Sequence, residues 1–130
     1  MRDTEQARQL MALASQDVDA LEVMLESSKV SDSIFGFHAQ QAVEKALKAW
    51  LAFLGETYPL THSLNLLFAL LEDKIGWEVD QFRELEALTP FAVQFRYSAY
   101  DSYEAEIDRG DTLSRVLDLV KHVASLVEKA

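Results

Sequence analysis

Between Ile34 and Leu54, apolar side chains fall at almost every angle around a helix: Ile34, Phe35, Ala39, Ala42, Val43, Ala46, Leu47, Ala49, Trp50, Leu51 and Phe53 leave no broad polar face. A helix that is hydrophobic nearly all round has to be surrounded by other elements, so this segment is the expected centre of the fold. One narrow stripe interrupts it. His38, Gln41, Lys45 and Lys48, flanked by Gln40 and Glu44, recur at spacings of three and four and therefore line up along one side. Ser33 is the expected N-cap, and Gly55 stands where a left-handed terminating residue is wanted.

The rest of the chain repeats the helical pattern. Only four glycines and two prolines punctuate the 130 residues, and no stretch alternates apolar and polar residues as a half-buried strand does. Ala7, Leu10, Met11, Ala14, Val18, Leu21 and Leu25 mark a first helix from Thr4 to about Ser28, with a polar turn following it up to Ser33. Ser63 caps a shorter helix carrying Leu64, Leu67, Phe68 and Leu71 and ending near Gly76. Phe82, Leu85 and Leu88 predict a further helix from about Val79, broken or kinked at Pro90, although Thr89 followed by Pro90 equally suits a fresh start. Phe91 to Tyr100 is helical in pattern, Gly110 interrupts, and a last helix runs from about Asp111 to Glu128. The expected fold is all-α: an up-and-down antiparallel helical bundle of four to five main helices, forming one domain over residues 1–130.

Composition narrows the function. Twelve Lys and Arg against 22 Asp and Glu give a net charge of −10, which disfavours coating duplex nucleic acid with unspecific positive charge. The absence of cysteine excludes a disulfide scaffold, a zinc ribbon and a thiol nucleophile, and it suits a reducing compartment. The opening MRDTEQARQL has no apolar core of a signal peptide, and no apolar run is long enough to span a bilayer, so the expected location is cytoplasmic, without membrane association. No phosphate-cradling glycine loop, paired-histidine zinc spacing or serine nucleophile elbow is present, and neither a metal nor a cofactor is expected.

What remains are polar groups where apolar ones are cheaper. For Gln41, Glu44, Lys45 and Lys48 the plainer reading is a solvated face with an i, i+4 pair from Glu44 to Lys48, worth about 0.2–0.5 kcal/mol. The functional reading is two amides and two ammonium groups along a concave seam, suited to phosphate and base edges. His62 reads as a loop or capping residue unless a partner orients it as an acid or base. His38 extends the stripe, and His122 offsets a helix dipole. Arg96 follows Phe91, Val93 and Phe95, so its guanidinium emerges beside apolar surface, able to pair with Glu44, stack on Tyr97 or grip a phosphate. Trp77, Phe82 and Phe91 are candidates for a dimer surface.

The phrase FHAQQAVEKALKAWLAFLGETYPLTHSLNLLFALL, with the later QFRYSAY, resembles the HEPN domain family, named for its occurrence in higher eukaryotes and prokaryotes. The resemblance covers nearly the whole chain. It rests on Gln40 to Lys48, on Thr61-His62-Ser63-Leu64 and on Arg96-Tyr97. It implies a helical bundle, usually a homodimer, with a groove for a nucleotide or for RNA processing. Bacterial members often sit beside a minimal nucleotidyltransferase, in several cases as toxin and antitoxin. Catalytic HEPN ribonucleases carry an Arg followed about four to six residues later by a His, one to two helical turns on. This chain departs from that pattern, because Asp101 stands where the histidine is expected and the next histidine after Arg96 is His122. In the toxin subset a tyrosine follows that the partner modifies with AMP; here Tyr103 falls at that place.

The leading expectation is a non-catalytic or weakly catalytic HEPN module that binds a nucleotide-like ligand and docks a minimal nucleotidyltransferase, using Gln41, Lys45, Lys48, His62, Arg96 and Tyr97. The second is a ribonuclease toxin with Arg96 and either His62 or Asp101 as the acid–base group. The third is a purely structural dimerisation module whose seam forms ion pairs across an interface.

Overall fold

Four α-helices among the described residues begin on a side-chain oxygen that accepts a hydrogen bond from an otherwise unpaired first-turn amide. The computed structural model describes residues 3–92 and 107–129. Helix α1 (Thr4–Met24) starts at Asp3, whose carboxylate accepts from Gln6 at 3.0 Å. Helix α2 (Asp32–Phe53) starts at Ser31 rather than Ser33, with the Ser31 hydroxyl accepting from Ile34 at 3.3 Å; Ser33 lies inside the helix and is buried. Helix α3 (Leu64–Ile75) is capped by Ser63, as its sequence predicts, and ends at Gly76 with φ of 72°. Helix α4 (Arg109–Glu128) is capped by Asp108, so Gly110 belongs to its first turn instead of interrupting the chain. Gly55 has the expected positive φ, 82°, just past α2.

The fold is an all-α helical bundle built around α2. Asp3 N–H donates to the Ala52 carbonyl at 2.9 Å, placing the start of α1 beside the end of α2, so the two are antiparallel. Helix α4 begins where α1 ends, because Arg109 binds the carbonyls of Met24 and Ser27, and it lies against both α1 and α2. Fifteen of α2's residues are buried, among them Phe35, Leu47, Trp50 and Leu51. Burying one such side chain contributes about 1.5–3 kcal/mol. Among the described residues no helix is long and apolar enough to cross a membrane.

The connection from α2 to α3 is not a tight turn. His62 lies against Gln40 and Glu44, while Lys74 at the other end of α3 pairs with Glu56 at 2.7 Å. The loop 54–63 therefore climbs back along α2 before α3 descends beside it. That return path delivers His62 to the polar stripe.

The segment after α3 corrects the sequence expectation. Gly76–Leu88 is a 3₁₀ helix, not an α-helix. Its buried residues are Val79, Phe82, Leu85 and Leu88, spaced by three throughout. At 3.0 residues per turn that spacing stacks them in one row, whereas in an α-helix the row drifts around the axis by about 60° per step. Arg83 reinforces the same period, reaching Asp80 at 3.2 Å and Glu86 at 3.0 Å, three residues either side, as well as Glu72. Reach supplies a second reason. The chain must run from the Glu56 end of α2 back to Phe91, whose ring lies on Gly36. That distance is about 30 Å along α2, which 15 residue steps cover at about 2.0 Å each but not at 1.5 Å.

Gly36 has no room for a side chain. A Cβ there would meet the Phe91 ring at 2.1 to 2.6 Å. Gly36→Ala is therefore expected to cost about 1–3 kcal/mol by overpacking, more than the gain of about 1 kcal/mol in helix propensity. Urea denaturation measures this, and a variant more stable than wild type would show that Phe91 yields freely.

Candidate functional site

Beyond its first turn and Phe37, helix α2 is buried except along the stripe predicted from sequence: His38, Gln41, Lys45 and Lys48 are half-buried, and Gln40 and Glu44 beside them are buried. Two carboxylates organise the stripe, one on each flank. Asp17 comes from α1. Its Oδ2 accepts from Lys45 Nζ at 2.6 Å and its Oδ1 from His38 Nδ1 at 3.0 Å. Glu44 forms the other flank: Oε1 accepts from His62 Nδ1 at 2.9 Å and Gln40 Nε2 at 3.0 Å, and Oε2 from Lys48 Nζ at 2.9 Å. Gln40 Nε2 also donates to the His62 carbonyl at 3.1 Å, and Gln40 Oε1 accepts from Gln41 Nε2 at 2.7 Å. Every polar atom of the buried Gln40 amide is thus used, as its burial requires.

Local sequence explains the placement of His62. It directly precedes Ser63, the cap of α3, whose amide donates to Thr61 Oγ1 at 3.0 Å. A capped helix start and a hydroxyl-braced turn fix the backbone on both sides of the imidazole. Lys48 Nζ lies 5.7 Å from the centre of the Tyr58 ring, so the return loop also covers the ammonium.

Burial pushes the Glu44 carboxyl up, but hydrogen bonds from Gln40, Lys48 and His62 and the charge of Lys48 outweigh it and hold the pKa below its ordinary 4.5. A carboxyl whose folded pKa is depressed contributes stability above the unfolded value and loses it as pH falls through the folded value. Acidification below 4.5 is therefore expected to destabilise the wild type more than a Glu44→Gln variant, measured as the pH dependence of the urea midpoint. Parallel acid profiles for the two proteins would remove Glu44 as the cause.

The two imidazoles share one chemistry. A carboxylate at Nδ1 only accepts, so Nδ1 carries the proton and Nε2 is left as the basic nitrogen, or as a second donor once protonated. His62 thus has the orienting partner that general acid–base work needs, and its side chain is half exposed.

The structure brings together Gln41, Lys45, Lys48 and His62 of the sequence-predicted site. Arg96, Tyr97, Asp101 and Tyr103 lie outside the described residues. The plainer reading of the seam needs correcting: the Glu44 to Lys48 pair exists, but its side chains are only 7% and 13% exposed, so it is not a solvated face. His122 also sits differently from expectation, between Trp50 at 5.0 Å and Phe82 at 5.2 Å, facing a groove of about 430 Å³ between the 3₁₀ segment and α4. Phe82 and Phe91 are buried and are not free for a dimer surface, while Trp77 is exposed. Asp17 and Gln40 were missed as site residues. The signal for Asp17 was a carboxylate in register with the buried Ala14 and Leu21; for Gln40 it was an amide inside an otherwise apolar circumference. Among the described residues no three His, Asp or Glu converge to hold a metal ion.

A family model described as the HEPN domain matches residues 7–130 of the chain. A search of curated proteins gave no match.

Proposed function

Since this chain belongs to the HEPN domain family, whose members are nucleotide-binding and RNA-associated helical modules, we propose that it binds a nucleotide or RNA backbone at the α2 seam. The observation that carries the reading is the buried Glu44, which holds Gln40, Lys48 and His62 in one hydrogen-bonded set beside Gln41 and Lys45. Buried polar networks of this kind are costly unless fully satisfied, and this one leaves its outer donors at the surface. The acidic remainder of the chain limits indiscriminate association with nucleic acid while the seam acts locally. In the same proposal the module forms a homodimer in the cytoplasm and docks a minimal nucleotidyltransferase as one half of a toxin–antitoxin pair. Arg96 and Tyr97 join the seam as ligand contacts, and Tyr103 is the residue the partner modifies.

Calorimetry with ATP, GTP and a short oligouridylate tests the site. His62→Asn combined with Lys45→Met is expected to weaken binding at least about tenfold, the loss of one or two charge-assisted hydrogen bonds. Unchanged affinity in a folded double variant would remove the seam as the binding site. The His62–Glu44 pair also favours a second reading, a ribonuclease in which His62 is the acid–base group working with Arg96. Purified protein that leaves tRNA and mRNA intact with and without divalent ions would exclude it.

A further inference from the structure

The lysines of the seam are already neutralised. Lys45 lies on Asp17 at 2.6 Å and Lys48 on Glu44 at 2.9 Å, so two ammonium groups and two carboxylates sum to zero while both imidazoles are neutral. An incoming phosphate finds a seam without net charge in a chain of net charge −10. It gains from either ammonium only by competing with the carboxylate that ammonium already holds.

The imidazoles are arranged differently. His38 and His62 each spend Nδ1 on a carboxylate, and among the described residues neither Nε2 has a hydrogen-bond partner. The two flank the stripe. His38 stands on the α1 side with Asp17 and Lys45, His62 on the return-loop side with Glu44 and Lys48, and Gln41 lies between. Six residues of α2 separate His38 from Glu44, about 9 Å along the axis. That spacing allows two anionic groups, or two phosphates of one chain, to be held at once.

We propose that phosphate recognition at the seam is carried by Nε2 of His38 and His62 rather than by its lysines, and is therefore switched on by protonation of the two imidazoles. The inference rests on the seam being the nucleotide or RNA site. With both protons bound the seam carries a charge of about +2, and each Nε2 becomes a charge-assisted donor on a side chain that is partly exposed. The groups facing His38 are Asp17 from α1, Lys45 from α2 and the Phe37 ring at 5.4 Å. Those facing His62 are Glu44 on α2 and, through it, Lys48, which lies over Tyr58 of the loop. Hydrogen bonds from Gln40, Lys48 and His62 hold the Glu44 carboxyl below its ordinary range. His122, the third histidine of the chain, stands apart against Trp50 and Phe82 with Glu78 at 3.6 Å, and serves as an internal control.

The test is calorimetric titration of decauridylate, whose phosphodiesters keep a constant charge between pH 8.0 and 5.5, in pairs of buffers that differ in ionisation heat. Affinity is expected to rise at least about tenfold across that range. Binding near neutral pH should take up one to two protons. The salt slope should steepen by about 1.4 as two more phosphates are neutralised on a single strand. His38→Gln and His62→Gln should each remove part of the proton uptake, and the double variant all of it, while His122→Gln keeps it. The single variants carry the test if the double variant fails to fold. Binding with no proton uptake, or uptake that survives the loss of both histidines, overturns the switch and leaves the seam standing. Absence of binding at every pH overturns the seam itself.

Discussion

Arg109→Ala is expected to lower stability by about 3–5 kcal/mol. Arg109 Nη1 donates to the carbonyls of Met24 at 2.8 Å and Ser27 at 3.0 Å, Nη2 donates to the Val30 carbonyl, and Nε to Asp32 at 2.8 Å. Its guanidinium also lies over the Phe35 ring at 5.3 Å. The Met24 carbonyl belongs to the last turn of α1, where the helix runs out of internal donors and carries partial negative charge, and the Ser27 carbonyl lies in the turn that follows. One side chain therefore closes the end of α1, the turn after it and the start of α2, from residues at least 77 positions away in sequence. Truncation leaves three carbonyls and a carboxylate without that donor in a site where the arginine is only 17% exposed. Arg109→Lys should recover little, because one ammonium cannot span the set. Urea denaturation is the measurement, and a loss below about 1 kcal/mol would mean that the clamp behaves as an ordinary surface pair.

Glu44→Ala is expected to be comparably damaging, at about 3–5 kcal/mol, because it strands Lys48 in a buried site and takes one of two acceptors from the fully buried Gln40 amide. Its second effect is on function. His62 loses the carboxylate on Nδ1 and with it a fixed ring orientation. The two effects separate in a double variant. Glu44→Met with Lys48→Met replaces the ion pair by apolar bulk, and such replacements are often neutral or stabilising. That protein is expected to recover most of its urea midpoint while still binding oligouridylate at least about tenfold more weakly than wild type. Restored stability with wild-type affinity would show that the buried carboxylate serves the fold alone.

The stripe on α2 was legible in the sequence because a central helix makes every polar residue conspicuous. His38, Gln41, Lys45 and Lys48 stand at helical spacing in an apolar background, and the structure leaves those same positions half-buried. Their partners were less visible. Asp17 lies 28 residues from Lys45, and nothing in the local pattern of α1 links the two. His62 was identified but its orienting carboxylate was not, since Glu44 and Lys48 already satisfy a simple i, i+4 rule that gives no reason to look further. The 3₁₀ segment was misread for a related reason. Phe82, Leu85 and Leu88 fit an α-helical stripe over two turns, and only the full row from Val79 with uniform spacing of three betrays the tighter period. Arg109 was not singled out because it stands at the N-terminal turn of its own helix, where a cation is disfavoured; its role belongs to the opposite end of α1.

In the proposed site His38 and His62, held by Asp17 and Glu44 beside one face of α2, meet the phosphates of a bound chain. Long-range ¹H–¹⁵N spectra of the imidazole side chains test this contact most directly, recorded at pH 6 with and without decauridylate. The Nε2 signals of His38 and His62 are expected to shift on titration and saturate together, while those of His122 stay in place. Shifts confined to His122, or binding that leaves all three imidazoles unmoved, would contradict it.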